Sequence, residues 1–223
     1  MNQRLEDLWR GEFGDRYHER HEERRAEIVE RNTEFFSAIY EKSIFGYLDN
    51  ALEFGAGAGL NLLAWERIFD VPAADLAGVE INAGVCEEMR NAGFTVYEQS
   101  FIDDASWEPG TYDLVFTKGV LIHLDEMDLP TAYKALYEAT SQYILICEYF
   151  APQREMIFYR DQSGICYRDD YAAGLWAAYP DLKFLGSGFA WAKDPDAGQD
   201  NLTFFLFEKI MPDDDEPEVG DDD

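Results

Sequence analysis

From residue 51 onward the chain alternates short unbroken apolar runs with longer stretches of mixed polarity. Continuous apolar runs, as opposed to alternating ones, mark strands buried on both faces, the habit of a parallel sheet covered by helices. This pattern predicts strands over residues 51–54, 76–80, 95–98, 113–117 and 143–149, and helices over 60–69, 83–92, 129–140 and 169–178. Two further runs, 183–190 and 203–209, are joined through the turn-rich segment 194–200 with no convincing helix between them. They predict an antiparallel hairpin at the edge of an otherwise parallel sheet. The fold class is therefore α/β. Before residue 46 the pattern is helical: Leu8, Trp9 and Phe13 precede a charge-dense stretch over 16–31, then Phe35, Phe36, Ile39 and Tyr40, with Gly11 and Gly14 interrupting the first part. The expected organisation is a helical cap over 1–45, a main domain over 46–211 and a disordered tail over 212–223, which carries eight acids and no cation.

Charge narrows the partners. Asp and Glu number 46 against 18 Lys and Arg, a net −28, so phosphate backbones and anionic lipid surfaces are repelled and nucleic acid is not expected as a partner. Only six of the cations are lysines, and acidity this pervasive resembles the screened, hydrated surfaces of proteins from salt-loving organisms. The cysteines, Cys86, Cys147 and Cys166, have no C-x-x-C spacing, which predicts neither a zinc site nor a disulfide framework and fits a reducing cytoplasm. No basic stretch precedes an apolar core at the N-terminus and no run of about 18 apolar residues occurs, so neither export nor membrane insertion is expected.

The first chemical signal is Glu53-x-Gly55-x-Gly57-x-Gly59-Leu60-Asn61, at the junction of a strand and a helix. Glycines at alternate positions let a backbone turn sharply and approach a ligand closely, and a helix N-terminus offers free N–H groups to an anion. No Gly-Lys-Ser/Thr follows, which excludes a Walker loop. A dinucleotide fingerprint would place its third glycine at Leu60, so the spacing fits S-adenosylmethionine (SAM) better than NAD, with a plain tight connection as the alternative. The second predicted strand ends in Glu80-Ile81, where a carboxylate can accept from both ribose hydroxyls; otherwise Glu80 is a solvated strand-end acid. Ser100, Phe101 and Ile102 follow the third strand, where an adenine is expected, although Phe101 and Ile102 suit a core equally. Thr117 and Lys118 end the fourth strand, at the side where open α/β sheets bind ligands. His123, just beyond, is either a general base or a ring packed beneath a cofactor. Glu148, at the end of the fifth strand, is an orienting partner, an alternative base or an ordinary edge acid.

With these residues in view, the chain resembles the class I SAM-dependent methyltransferases and, among them, the pseudaminic acid biosynthesis-associated methylase family. The likeness runs from about Leu8 to Lys209 through residues 8–17, 53–61, 116–123, 146–149, Lys193-Asp194-Pro195, Gln199-Asp200 and 203–209. His21 and Gln162 depart from it, standing where asparagine and histidine are expected. The resemblance implies a Rossmann-like sheet, SAM as cofactor and methylation of a sugar-like or glycoconjugate small molecule, at a hydroxyl before an amine. A cap closing with Trp9, Phe13 and Tyr17 would offer aromatic faces to that acceptor. Arg16 and Arg20 would hold an anionic group on it, or else pair with helical neighbours. A nicotinamide-dependent oxidoreductase and a non-catalytic SAM-binding protein are the alternatives.

Overall fold

The computed structural model describes residues 3–42, 46–103, 107–160 and 162–210; the acidic tail lies outside them. Three helices open the chain: α1 (Gln3–Arg10), α2 (Glu12–Glu22) and α3 (Arg25–Lys42), the first two parting at Gly11. Then β1 (Ala51–Phe54), α4 (Leu60–Phe69), β2 (Leu76–Glu80), α5 (Ala83–Asn91) and β3 (Thr95–Glu98) alternate. They are followed by β4 (Tyr112–Lys118), α6 (Leu129–Ala139), β5 (Thr140–Glu148), a short hairpin of β6 (Glu155–Met156) and β7 (Tyr167–Arg168), and α7 (Tyr171–Ala178). Long strands β8 (Leu182–Ala190) and β9 (Leu202–Lys209) close the described chain.

Seven strands form one sheet in the order β3-β2-β1-β4-β5-β9-β8. The first five are parallel, while β9 runs antiparallel to both β5 and β8. This is the mostly parallel Rossmann-like sheet with an antiparallel terminal pair that the apolar pattern predicts. The order reverses beside β1: its chain-order successor β2 lies on one side and β4 on the other, which opens a crevice at the carboxyl ends of these three strands.

Alternate residues of the buried strands feed two cores. Phe54, Val115, Ile144 and Ile146 face α6 and α7, whereas Leu114, Phe116 and Leu145 face α3, α4 and α5. In the second core the Phe36 ring of α3 stacks on Trp65 of α4 at 4.6 Å, with both side chains fully buried; burial of a side chain of this size is worth about 1.5–3 kcal/mol. The N-terminal segment is thereby divided: α3 belongs to a core layer, and α1 and α2 lie across the carboxyl ends of the strands. Asn82 fixes that crossing. Its Oδ1 accepts from the N–H groups of Gly84 and Val85 and starts α5, while its Nδ2 donates to the Trp9 carbonyl at 3.2 Å and to Asp15 at 2.8 Å. Among the described residues, no helix is long and apolar enough to cross a membrane.

Candidate functional site

A cavity of about 190 Å³ occupies the crevice, floored by the turn after β1 and roofed by α1 and α2. Gly55, Gly57 and Gly59 all adopt positive φ, at 68°, 53° and 71°, a region that side chains with a Cβ seldom enter. Space adds to conformation: a Cβ on Gly55 would stand an impossible 2.5 Å from Val120 Cγ2, and one on Gly57 would crowd the His18 ring at 3.1 Å. Gly55 and Gly57 line the cavity with Asn61. Gly59 does not; it caps α4 and backs onto Met89 and Phe94, so its role is packing.

Glu80 ends β2 with its carboxylate in the cavity wall, 8% exposed. It accepts from Gly57 N at 2.9 Å through Oε2, and from Ile81 N at 2.7 Å and Asn82 N at 2.8 Å through Oε1. The carboxylate therefore staples the glycine turn to the end of β2. Each oxygen has room for two donors, so Oε2 keeps a free lone pair for a hydroxyl. Burial pushes the Glu80 carboxyl above its ordinary range despite the three N–H groups.

Glu53 stands deeper than its motif suggested. It is fully buried and accepts from Asn61 Nδ2 at 2.5 Å, and Asn61 in turn accepts from Asn32 Nδ2 of α3 at 2.8 Å. Desolvation raises the Glu53 carboxyl to about 8, so it is protonated at neutral pH and braces the turn from beneath without touching the cavity. Lys118 reaches the cavity, and burial lowers its ammonium below the ordinary lysine range. Thr117 is buried beneath it and is not in the cavity wall.

Ser100 and Phe101 also line the cavity. The Ser100 hydroxyl is buried without a partner among the described residues, a group held ready for a ligand. The Phe101 ring packs 5.2 Å from Phe54 and so serves cavity and core together. Ile102 packs against the core and does not reach the cavity.

His123 lines the cavity too, 8% exposed. Its Nδ1 is 2.6 Å from the Ile165 carbonyl, an acceptor that requires the proton on Nδ1 and leaves Nε2 with a lone pair. Burial lowers the imidazole to about 4, so the ring is neutral across the physiological range. Trp9 packs on it with centroids 4.7 Å apart, and Tyr159 meets it at 5.4 Å. Glu148 lies outside the cavity wall: 2% exposed, it accepts from the N–H groups of Val120, Leu121 and Ile122, at 3.0–3.4 Å. Desolvation raises it to about 7. In this position it shapes the turn that carries His123; a carboxylate spent on three backbone donors is no alternative base.

The cap residues separate in the same way. Trp9 and Tyr17 line the cavity, together with His18 and His21, which sequence reasoning did not select. Burial lowers both of these histidines, His18 to about 4. Phe13, Arg16 and Arg20 instead line a groove outside the cavity, and Arg16 is tied by an ion pair to Glu12 one turn away. The Asn82 clasp was missed as well, although an asparagine directly before an apolar helix is an N-cap signal.

Residues 52–142 match the family described as a methyltransferase domain. Among solved structures, a SAM-dependent methyltransferase from Methanosarcina mazei superposes with a TM-score of 0.61 at 11% identity, over 78% of this chain and 98% of that one. A sugar N-methyltransferase from Streptoalloteichus gives 0.59 at 14% identity, over 82% and 88%, and a glycopeptide N-methyltransferase complexed with SAM gives 0.60 at 13%, over 81% and 94%. No curated protein matches the sequence. The domain match and the shared fold support a SAM-dependent methyltransferase, with S-adenosyl-L-methionine as its cofactor. The cavity suits that cofactor: the glycine cradle excludes side chains, Glu80 retains an acceptor and the Ser100 hydroxyl is unsatisfied.

Proposed function

We propose that the protein methylates a hydroxyl of a sugar-like small molecule that enters beneath α1 and α2. The supporting observation is the Nδ1–H of His123 held on the Ile165 carbonyl, which fixes the ring with Nε2 as the free basic nitrogen beside the cavity. Gly55 and Gly57 would receive the methionine end of the cofactor, Glu80 the ribose, and Ser100 with Phe101 the adenine. When bound, SAM supplies a sulfonium methyl group as electrophile. What the chain must add is position and removal of the hydroxyl proton as charge develops. His123 Nε2 takes that proton. Trp9 packs the imidazole in place and Tyr17 gives the acceptor an aromatic wall.

A second reading has its own support. The lowered basicity of His123 also suits an amine acceptor, whose neutral lone pair attacks before any proton leaves, and two of the structural neighbours are described as N-methyltransferases. The motifs at 8–17 and 116–123 support placement in the pseudaminic acid biosynthesis-associated methylase family, the excess of acids supports a halophilic setting without a nucleic-acid partner, and the spacing of the three cysteines supports a reducing cytoplasm.

Calorimetric titration with SAM and with NAD tests the cofactor. Incubating cell-extract fractions with labelled SAM, followed by mass spectrometry of the methylated metabolite, tests the acceptor and tells O- from N-methylation. Transfer to nucleic acid alone, or tight NAD binding without SAM binding, would reject the reading.

A further inference from the structure

Outside the cavity, Phe13, Arg16 and Arg20 of α2 face Arg160 and Gln162 of the loop between β6 and β7 across a groove. Tyr17 connects groove and cavity. Its ring lines the cavity, and the guanidinium groups of Arg20 and Arg160 lie over that ring at 5.9 and 5.3 Å. Carboxylates outnumber cations 46 to 18 in this chain, and most guanidinium groups have taken one: Arg16 pairs with Glu12, Arg24 with Glu27, Arg67 with Glu30, Arg90 with Glu98 and Arg154 with Asp169. Among the described residues, Arg20 and Arg160 are in no salt bridge. Glu23 stands three residues beyond Arg20, at helical pairing distance, and is not used. Arg160 is moreover held at a φ of 49°, a left-handed conformation that a residue with a side chain keeps only where its surroundings enforce it.

We infer that Arg20 and Arg160 form an anion grip at the mouth of the cavity, holding a phosphate or carboxylate group on the acceptor while its reacting end extends past Tyr17 toward His123. Guanidinium groups match both oxyanions through paired N–H donors. The molecule as a whole repels anions, so retention of an anionic acceptor depends on these short contacts. Arg16, already neutralised by Glu12, is not part of the grip. The inference rests on the methyl-transfer reading for the direction of the acceptor and narrows its class to anionic sugars or sugar phosphates.

The test uses the full chain saturated with S-adenosylhomocysteine, at a salt concentration where that ligand binds, titrated calorimetrically with glucose 1-phosphate, glucuronate and glucose. At least one of the anionic probes is expected to bind, and glucose at least about tenfold more weakly. Arg20→Gln and Arg160→Gln should each weaken the anionic probe by about tenfold to a hundredfold, the loss of one charge-assisted contact. Arg24→Gln should not weaken it, and S-adenosylhomocysteine affinity should be unchanged in every variant, which shows that each is folded. Glucose binding as tightly as the anions, no binding of either anion, or full retention in Arg20→Gln and Arg160→Gln would overturn the grip. Anion binding through both arginines in a protein that binds neither S-adenosylhomocysteine nor SAM would keep the grip and reject the methyl-transfer reading.

Discussion

Replacing Glu80 with alanine is expected to damage stability and cofactor affinity together, and the structure sets both magnitudes. The carboxylate takes three backbone N–H groups, from Gly57, Ile81 and Asn82, at 2.7–2.9 Å in a site 8% exposed. An orphaned buried donor costs about 1–3 kcal/mol. The cavity lets water reach part of the space vacated, which brings the sum for three donors to roughly 2–4 kcal/mol instead of the full amount. For a chain of this size each kcal/mol moves Tm by about 2–4 °C, so a fall of roughly 5–15 °C is expected without ligand. Affinity for SAM should fall by about tenfold to a hundredfold through loss of the ribose acceptor. Ligand stabilisation supplies a second readout, since a cofactor at 100 times its Kd adds about 2.7 kcal/mol and the same concentration protects a variant with weakened affinity far less. Glu80→Gln separates the two roles: its amide oxygen still accepts from the β2 end, so it should recover about half of the lost Tm while remaining weak for SAM. Circular dichroism melts with and without S-adenosylhomocysteine, together with calorimetry below both midpoints, make the measurement. A Glu80→Ala protein with unchanged Tm and unchanged SAM affinity would refute both the staple and the ribose assignment.

Once an acceptor is in hand, His123→Ala should lower turnover by about 10²-fold or more while leaving SAM affinity intact; because burial holds this imidazole near 4, wild-type turnover should show no histidine inflection between pH 6 and 8, and one centred near 6.5 would contradict its buried, neutral state. Glu53 carries a folded-state carboxyl at about 8, above its unfolded value of about 4.3. The native state thus holds the extra proton in that window, and stability should fall from about pH 4.5 to 8 and then level off. Glu53→Gln should flatten this slope when melts are compared in molar salt, and an unchanged slope would place the titration elsewhere. Raising potassium chloride from low to molar concentration should raise the unfolding midpoint by screening surplus carboxylates over a Debye length that shrinks from about 30 to 3 Å; a flat or falling midpoint would count against a halophilic surface.

The sequence by itself determined what depends on near neighbours in the chain. The bounds of β1, β2, β3 and α4 are those the sequence pattern predicts; β1 and β2 are buried along their whole length and stand out as runs that are apolar but for one acid each, and a glycine turn ends β1 and begins α4. The antiparallel pair at the sheet edge was legible for a similar reason: no helix separates its strands. Glu80 was legible as a candidate because it ends a strand on the side where open α/β sheets bind ligands. What the tertiary structure decided depends on segments far apart in sequence. Nothing local distinguishes Glu53 and Glu148, which lie outside the cavity wall, from Glu80, which lines it; all three are acids at or next to strand ends, and only packing sets how much water and which N–H groups each meets. The two-residue strands β6 and β7 are too short for any periodicity, so the loop that brings Arg160 to Tyr17 left no trace in the pattern. His18 reads as a member of a charged helix, and His21 only as a departure from the family pattern, until α2 lies across the cavity. That crossing is fixed by Asn82 holding Trp9 and Asp15 across 73 and 67 residues of chain, a distance over which only the folded molecule makes neighbours.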